Sequence, residues 1–184
     1  MQIKSLALAA ALLAVAAPAF AADYVQQTGS TLTFATKYQG EVFAGNFPGF
    51  TARLSFDPAR VDTSKLDVVI PLAGANTKNA ERDDTLKGAD FFSIAKFPQA
   101  RFTATKFRSL GGNNYAADGS LNLRGASKPV TLTFTWTPGD KPVLTGKATV
   151  KRLDFGVGAG EWADTSIIPN EVAVSTKVVF APAK

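Results

Sequence analysis

Bulky apolar and polar residues alternate with a period of two along most of this chain, which predicts an all-β fold of antiparallel strands. Two further observations favour closure into a barrel. Turn-forming clusters separate the alternating runs at hairpin spacing, and small residues occupy positions that the alternation turns inward. One stretch breaks the period and reads as a single short helical insertion.

The chain opens with an address. Lys4 precedes an apolar run from Leu6 to Ala17, Pro18 breaks it, and Ala19-Phe20-Ala21 supplies the small-x-small pattern of a signal peptidase site. Residues 1–21 are expected to be a cleavable signal peptide, leaving one exported domain over 22–184. The apolar run is too short to cross a hydrocarbon core of about 30 Å, and no cysteine follows it to carry a lipid.

The first alternating run has Leu32, Phe34, Thr36 and Tyr38 on one face, and Glu41 to Phe47 follows as a further strand. Ala52, Leu54 and Phe56 lead to the turn Asp57-Pro58, and Leu66, Val68 and Ile70 mark the next strand. From Asn76 to Gly88 the period disappears. Ala80, Glu81, Arg82, Asp83, Leu86 and Lys87 are helix formers there, with Gly88 as the stop. Strands resume at Arg101 to Arg108 and, after Gly111-Gly112-Asn113-Asn114, at Ala117, Gly119, Leu121 and Leu123. Lys128 to Thr137 is the clearest run, with Val130, Leu132, Phe134 and Trp136 opposite four threonines. Pro138-Gly139-Asp140 turns the chain into Val143 to Arg152, and Val172 to Phe180 closes it. Lys37, Arg53, Lys65, Asp67, Asp118 and Asn122 fall on the faces opposite the bulky residues.

Such strands could stack as a sandwich or close as a barrel; small residues on the inward face decide for the barrel. Gly146 and Ala148 share a face with Leu144 and Val150, and Ala117 and Gly119 share one with Leu121 and Leu123. An eight-stranded barrel is wide enough either to be filled by side chains or to hold one ligand. A cavity beside those residues, and a filled core with glycines at strand bends, stand level on composition.

The chain has no histidine and no cysteine, which removes thiolate nucleophiles, imidazole bases and His or Cys metal sites. Net charge is +5, and scattered charges of both signs give no nucleic-acid footprint. Gly156-Val157-Gly158-Ala159-Gly160 lacks the following helix that a phosphate-binding turn needs, and reads as a flexible loop. Carboxylates cluster at Glu81, Asp83 and Asp84 and at Asp154, Glu161 and Asp164, a weak pointer to a two-carboxylate hydrolase or an oxygen-ligand calcium site. Solvated charges and local pairs explain them better. An outer-membrane barrel would need aromatic girdles, and three tyrosines and two tryptophans are too few for them. Arg152 falls on the inward face by parity. A buried cation there wants a ligand headgroup or an ion pair, with Asp154 or Glu171 as the candidates.

An ordered set of short segments then resembles one family. Thr31-Leu32-Thr33-Phe34, Val42 to Phe47 and Ala52 to Asp57 are similar to the opening of the YceI-like polyisoprenoid-binding proteins. Arg82-Asp83 with Leu86, Ala89-Asp90-Phe91-Phe92, Phe97-Pro98, Gly119 to Gly125, Lys128-Pro129-Val130 and Arg152 to Gly156 continue it, and Trp162 with Glu171-Val172 completes it. The resemblance implies a lipocalin-like, eight-stranded antiparallel barrel, periplasmic and non-catalytic, without cofactor or metal, whose bore holds an isoprenoid lipid, an isoprenoid quinone or another amphiphile. Transport, quinone handling, stress protection and sequestration all fit such a protein, as do transient membrane contact and a monomer or homodimer. The residues expected to line the bore are Leu32, Phe34, Leu54, Phe56, Phe102, Leu121, Leu132, Phe134 and Trp136. Phe43, Phe47, Phe91, Phe92 and Phe155 lie near turns and are weaker candidates for the wall, with plugging the barrel as the alternative. Tyr38 stands where many members of the family carry a histidine, and with Arg152 it is the expected headgroup contact. The alternatives are a carboxylate-dependent periplasmic hydrolase and a filled-core barrel acting as an interaction scaffold.

Overall fold

The computed structural model describes residues 22–183. The expected signal peptide, residues 1–21, lies outside the described residues. Ten strands form one sheet: β1 (Ala22–Gln26), β2 (Thr31–Tyr38), β3 (Glu41–Asn46), β4 (Thr51–Phe56), β5 (Lys65–Pro71), β6 (Gln99–Gly111), β7 (Asn114–Leu123), β8 (Ala126–Thr137), β9 (Val143–Lys151) and β10 (Glu171–Pro182). Every pairing between them is antiparallel.

The order β1-β4-β5-β6-β7-β8-β9-β10 closes on itself because β1 also pairs with β10, giving a closed eight-stranded barrel. β10 is long enough to take two successive partners on its second edge. Its C-terminal residues pair with β1, and its N-terminal residues, from Ala173 to Lys177, pair with β2. The β2–β3 hairpin therefore extends the wall at one end, and Asn46 is bridged to Asn76 in the segment after β5. Register shifts in β6, between Ala104 and Lys106 and between Ser109 and Gly111, add the local twist that a small closed sheet needs.

Inward parity holds in the strands read from alternation. Leu32, Phe34, Leu54, Phe56, Leu66, Leu121, Leu132, Phe134, Trp136 and Leu144 are buried, while the outer face carries the ion pairs Arg101–Asp67 and Arg108–Asp118. β1 is the strand that alternation does not show. Five residues with only Tyr24 and Gln26 half-buried leave too short a period to read.

The helix α1 (Ala80–Lys87) is shorter than the stretch from Asn76 to Gly88. Asn79 caps it, its side chain accepting from the Arg82 backbone N–H at 2.9 Å, while Asn76 and Thr77 are held outside by backbone and side-chain bonds of their own. Gly88 ends the helix in extended backbone rather than the left-handed conformation.

The inward glycines do not make space by themselves. A Cβ on Gly119 would sit 2.4 Å from the Thr103 carbonyl and 2.7 Å from the Phe102 ring, and one on Gly146 would sit 2.9 Å from Leu132 Cδ1. Each glycine lets a neighbouring side chain lie flat across its strand. The free volume lies elsewhere.

Candidate functional site: an apolar cavity above an aromatic floor

The barrel interior divides into a filled half and a hollow half. At the end where β8 turns into β9, Phe56 sits against Trp136 (5.1 Å between ring centroids), Tyr115 (5.0 Å) and Phe134 (5.8 Å). Tyr24 meets Trp136 at 5.3 Å, and Tyr115 stacks on Phe134 at 5.5 Å. Edge-to-face and offset contacts of this kind add to the burial of the rings, so this end is a rigid floor.

Toward the other end the strands carry aliphatic and small residues, and a cavity of about 210 Å³ opens. Leu66, Val68 and Ile70 of β5, Val130 and Leu132 of β8, Ala148 and Val150 of β9, and Val172, Val174 and Val178 of β10 form its sides. Short and branched side chains on β5, β9 and β10 leave the volume that the aromatics fill below.

The expected lining residues separate along this boundary. Leu32, Phe34, Phe102, Leu121 and Leu132 line the cavity. Leu54, Phe56, Phe134 and Trp136 are absent from its wall. Parity put them on the correct face, but their height along the barrel places Phe56, Phe134 and Trp136 in the aromatic floor, and Leu54, on the same strand as Phe56, is buried outside the cavity wall. Of the five weaker candidates near turns, Phe43, Phe47, Phe91 and Phe92 are in the wall, whereas Phe155 is buried outside it. Phe47 meets Phe34 at 5.1 Å and Phe92 at 5.9 Å, so these rings continue the wall above the strands. Leu86 of α1, with Val157 and Ile168 from the β9–β10 connection, completes the lid. Val157 and Ile168 sit in irregular backbone, where no period signals them.

Arg152 is the organising group of that lid. It is 3% exposed, and all five of its N–H groups donate to backbone carbonyls. Nε reaches Pro169 O (3.1 Å), Nη1 reaches Val157 O (3.0 Å) and Gly158 O (2.6 Å), and Nη2 reaches Trp162 O and Ile168 O (both 2.8 Å). Neither Asp154 nor Glu171 pairs with it. Burial without a counter-charge lowers its pKa from the usual guanidinium value. The expected ion pair is thus replaced by a ring of carbonyl dipoles, and no donor is left over for a headgroup. The stretch from Gly156 to Gly160, expected to be a flexible loop, is folded around this guanidinium, with the Gly158 N–H donating to Asp90 O at 2.7 Å. Arg124 ties the same region to its neighbours, donating from Nη1 to Gly156 O at 2.7 Å and from Nη2 to Ala89 O.

Arg82 and Asp83 act on the other side of the lid. Asp83 accepts from the Thr77 hydroxyl (2.6 Å) and backbone N–H (2.8 Å), Arg82 Nε donates to the same hydroxyl (2.9 Å), and the guanidinium lies 4.3 Å from the centroid of the Phe43 ring. This network fixes α1 and a wall residue together. Tyr38 stands at the end of β2, 38% exposed and 6.4 Å from Trp162, outside the cavity wall.

Asp83, Asp84 and Asp164, three of the candidate acids, are occupied elsewhere. Asp84 pairs with Lys87, and Asp164 accepts from the Ser166 hydroxyl and N–H, which hold its pKa below the usual carboxylate value. Among the described residues no carboxylate lines the cavity, and no cluster of three acids is placed to hold a metal ion.

Comparison with known proteins follows the same outline. The family model of the YceI-like domain matches residues 24–180. A UPF0312 protein of Pseudomonas savastanoi pv. phaseolicola is 33% identical over 175 residues, covering 89% of this chain and 91% of the relative. The crystal structure of Burkholderia cenocepacia BcnA superposes with a TM-score of 0.78 at 31% identity, over 82% of this chain and 95% of that one. A polyisoprenoid binding domain from Saccharophagus degradans, implicated in plant cell wall breakdown, shares the fold with a TM-score of 0.68 at 16% identity, over 90% of this chain and 100% of that one.

Proposed function

The chain belongs to the YceI-like domain family, and from that premise we propose that it is an exported, non-catalytic carrier that holds a long isoprenoid lipid or similar amphiphile in the hollow half of its barrel. The observation that carries this reading is the cavity: a volume of about 210 Å³ in the barrel whose wall, among the described residues, is apolar except for Thr36, Thr176 and the saturated Arg152. An empty apolar cavity forfeits packing contacts on all its walls, and a prenyl chain restores them. At about 0.8 kcal/mol for each carbon withdrawn from water, every five-carbon unit enclosed contributes about 4 kcal/mol.

The polyisoprenoid-binding relative from Saccharophagus degradans supports the same ligand class. Arginine–aspartate pairs on the outer wall favour an aqueous surroundings over a lipid-facing exterior, and the leader ending at Ala21 would deliver the domain to the periplasm. With no acid on the wall, the hydrolase alternative lacks a catalytic pair at the cavity.

Native mass spectrometry with lipid extraction, on protein purified from the periplasm of the cells that make it, tests the proposal. A stoichiometric apolar mass is expected. A clean apo mass that also resists loading with prenyl lipids refutes the carrier and favours the filled-core scaffold.

A further inference from the structure

We propose that Thr36 is the polar anchor of the cavity, its hydroxyl donating one hydrogen bond to a neutral oxygen of the ligand, a prenol hydroxyl or a quinone carbonyl, so that the site prefers neutral headgroups to phosphates. The inference rests on the carrier reading.

Thr36 shares the inward face of β2 with Leu32 and Phe34, lines the cavity, and stands directly across from Phe43 in the β2–β3 hairpin, on the lid side of Phe34. Its Oγ1 is shut off from solvent and has no hydrogen-bond partner among the described residues. Buried hydroxyls are seldom left in that state, because an unmade bond forfeits the hydration the group gave up. The other polar groups of the wall are already committed. The Thr176 hydroxyl donates to Thr31 O at 2.9 Å, and Arg152 spends its five N–H groups on carbonyls.

A ligand lying along the wall with its tail toward the aromatic floor brings its polar end to the level of Thr36. One free donor suits one acceptor oxygen. A phosphate needs several donors or a counter-charge, and reaching Arg152 would require it to displace carbonyls that already surround the guanidinium.

The test compares squalene, all-trans-geranylgeraniol and geranylgeranyl diphosphate, by competition against a fluorescent prenyl probe bound to the full mature protein. Wild type should bind the alcohol at least about tenfold more tightly than the diphosphate. Thr36→Val, which keeps the shape and removes the donor, should weaken the alcohol by roughly five- to tenfold and leave squalene within about twofold, the size expected for one neutral hydrogen bond. Thr36→Ser should restore the alcohol. Equal effects of Thr36→Val on alcohol and hydrocarbon, or a diphosphate bound as tightly as the alcohol, overturn the anchor. If Thr36→Val fails to fold, the wild-type comparison of alcohol with diphosphate decides alone. Failure of wild type to bind any of the three overturns the carrier reading itself.

Discussion

Replacing Arg152 by methionine removes a buried cation of similar length and leaves the carbonyls of Val157, Gly158, Trp162, Ile168 and Pro169 without their shared donor. Hydrogen bonds from a charged group contribute about 1.5–3 kcal/mol each, but five of them cannot simply be added. Taking the guanidinium out of water costs several kcal/mol, and carbonyls freed from the lid regain water when it opens. The net loss should be about 3–5 kcal/mol, the range for removing one side of a buried charged network. That is a large share of the roughly 5–15 kcal/mol that holds a domain folded. Urea unfolding followed by circular dichroism gives the global figure. Amide exchange separates the lid from the barrel: the N–H groups of Val157, Gly158 and Ile168 should lose protection while those of β7 and β8 keep theirs. Arg152→Lys, with three donors instead of five, should recover part of the loss. A methionine variant within about 1 kcal/mol of the parent, with lid exchange unchanged, would refute the assignment of Arg152 as the organiser of the lid.

Ala148→Phe places a ring in the hollow half and should cut prenyl loading at least about tenfold while changing unfolding free energy by no more than about 1–3 kcal/mol, as seen by lipid binding and denaturation side by side. Gly119→Ala pushes a methyl group onto the Thr103 carbonyl 2.4 Å away and should cost about 1–3 kcal/mol, more than Gly146→Ala, whose nearest neighbour is the movable end of Leu132; equal stabilities would contradict the close approach. With no histidine in the chain, stability and ligand retention should stay flat from about pH 5 to pH 8. Asp57, Asp118 and Asp164 have folded-state pKa values below their ordinary 3.8, so the small stability they contribute is present above that value and is lost as pH falls below it through the depressed values. Thermal melts across that range would show a loss beginning only below about pH 4.

The barrel was legible because alternation is a local signal that a half-buried strand cannot avoid producing: Val130 to Trp136 shows both faces in a single run. Parity says which side a residue faces, but not how far along the bore it sits. Phe134 and Trp136 therefore look identical to Leu132 in sequence, although two belong to the floor and one to the cavity wall. Height follows from strand register, which joins Trp136 to Leu144 and Phe102 to Leu121 over sequence distances that no period spans. The lid was less legible still. Phe91, Phe92, Val157 and Ile168 lie in irregular backbone, and the feature that organises half of that backbone is one arginine whose partners are carbonyls, groups every residue carries. Small residues pointed to a hollow interior for a reason that holds at Ala148 and fails at Gly119 and Gly146, where neighbouring side chains occupy the space that the missing Cβ leaves.

The claim that the hollow half of the barrel holds the isoprenoid is tested most directly by photolabelling. A geranylgeraniol analogue with a diazirine at the end of its tail would be loaded into the mature protein, irradiated, and its adducts located by peptide mass spectrometry. The carrier reading predicts adducts on wall residues of β5, β8 and β10, such as Val68, Leu132 and Val178, and suppression of labelling by Ala148→Phe. Adducts confined to the outer face of the barrel, or labelling that Ala148→Phe leaves unchanged, would contradict it.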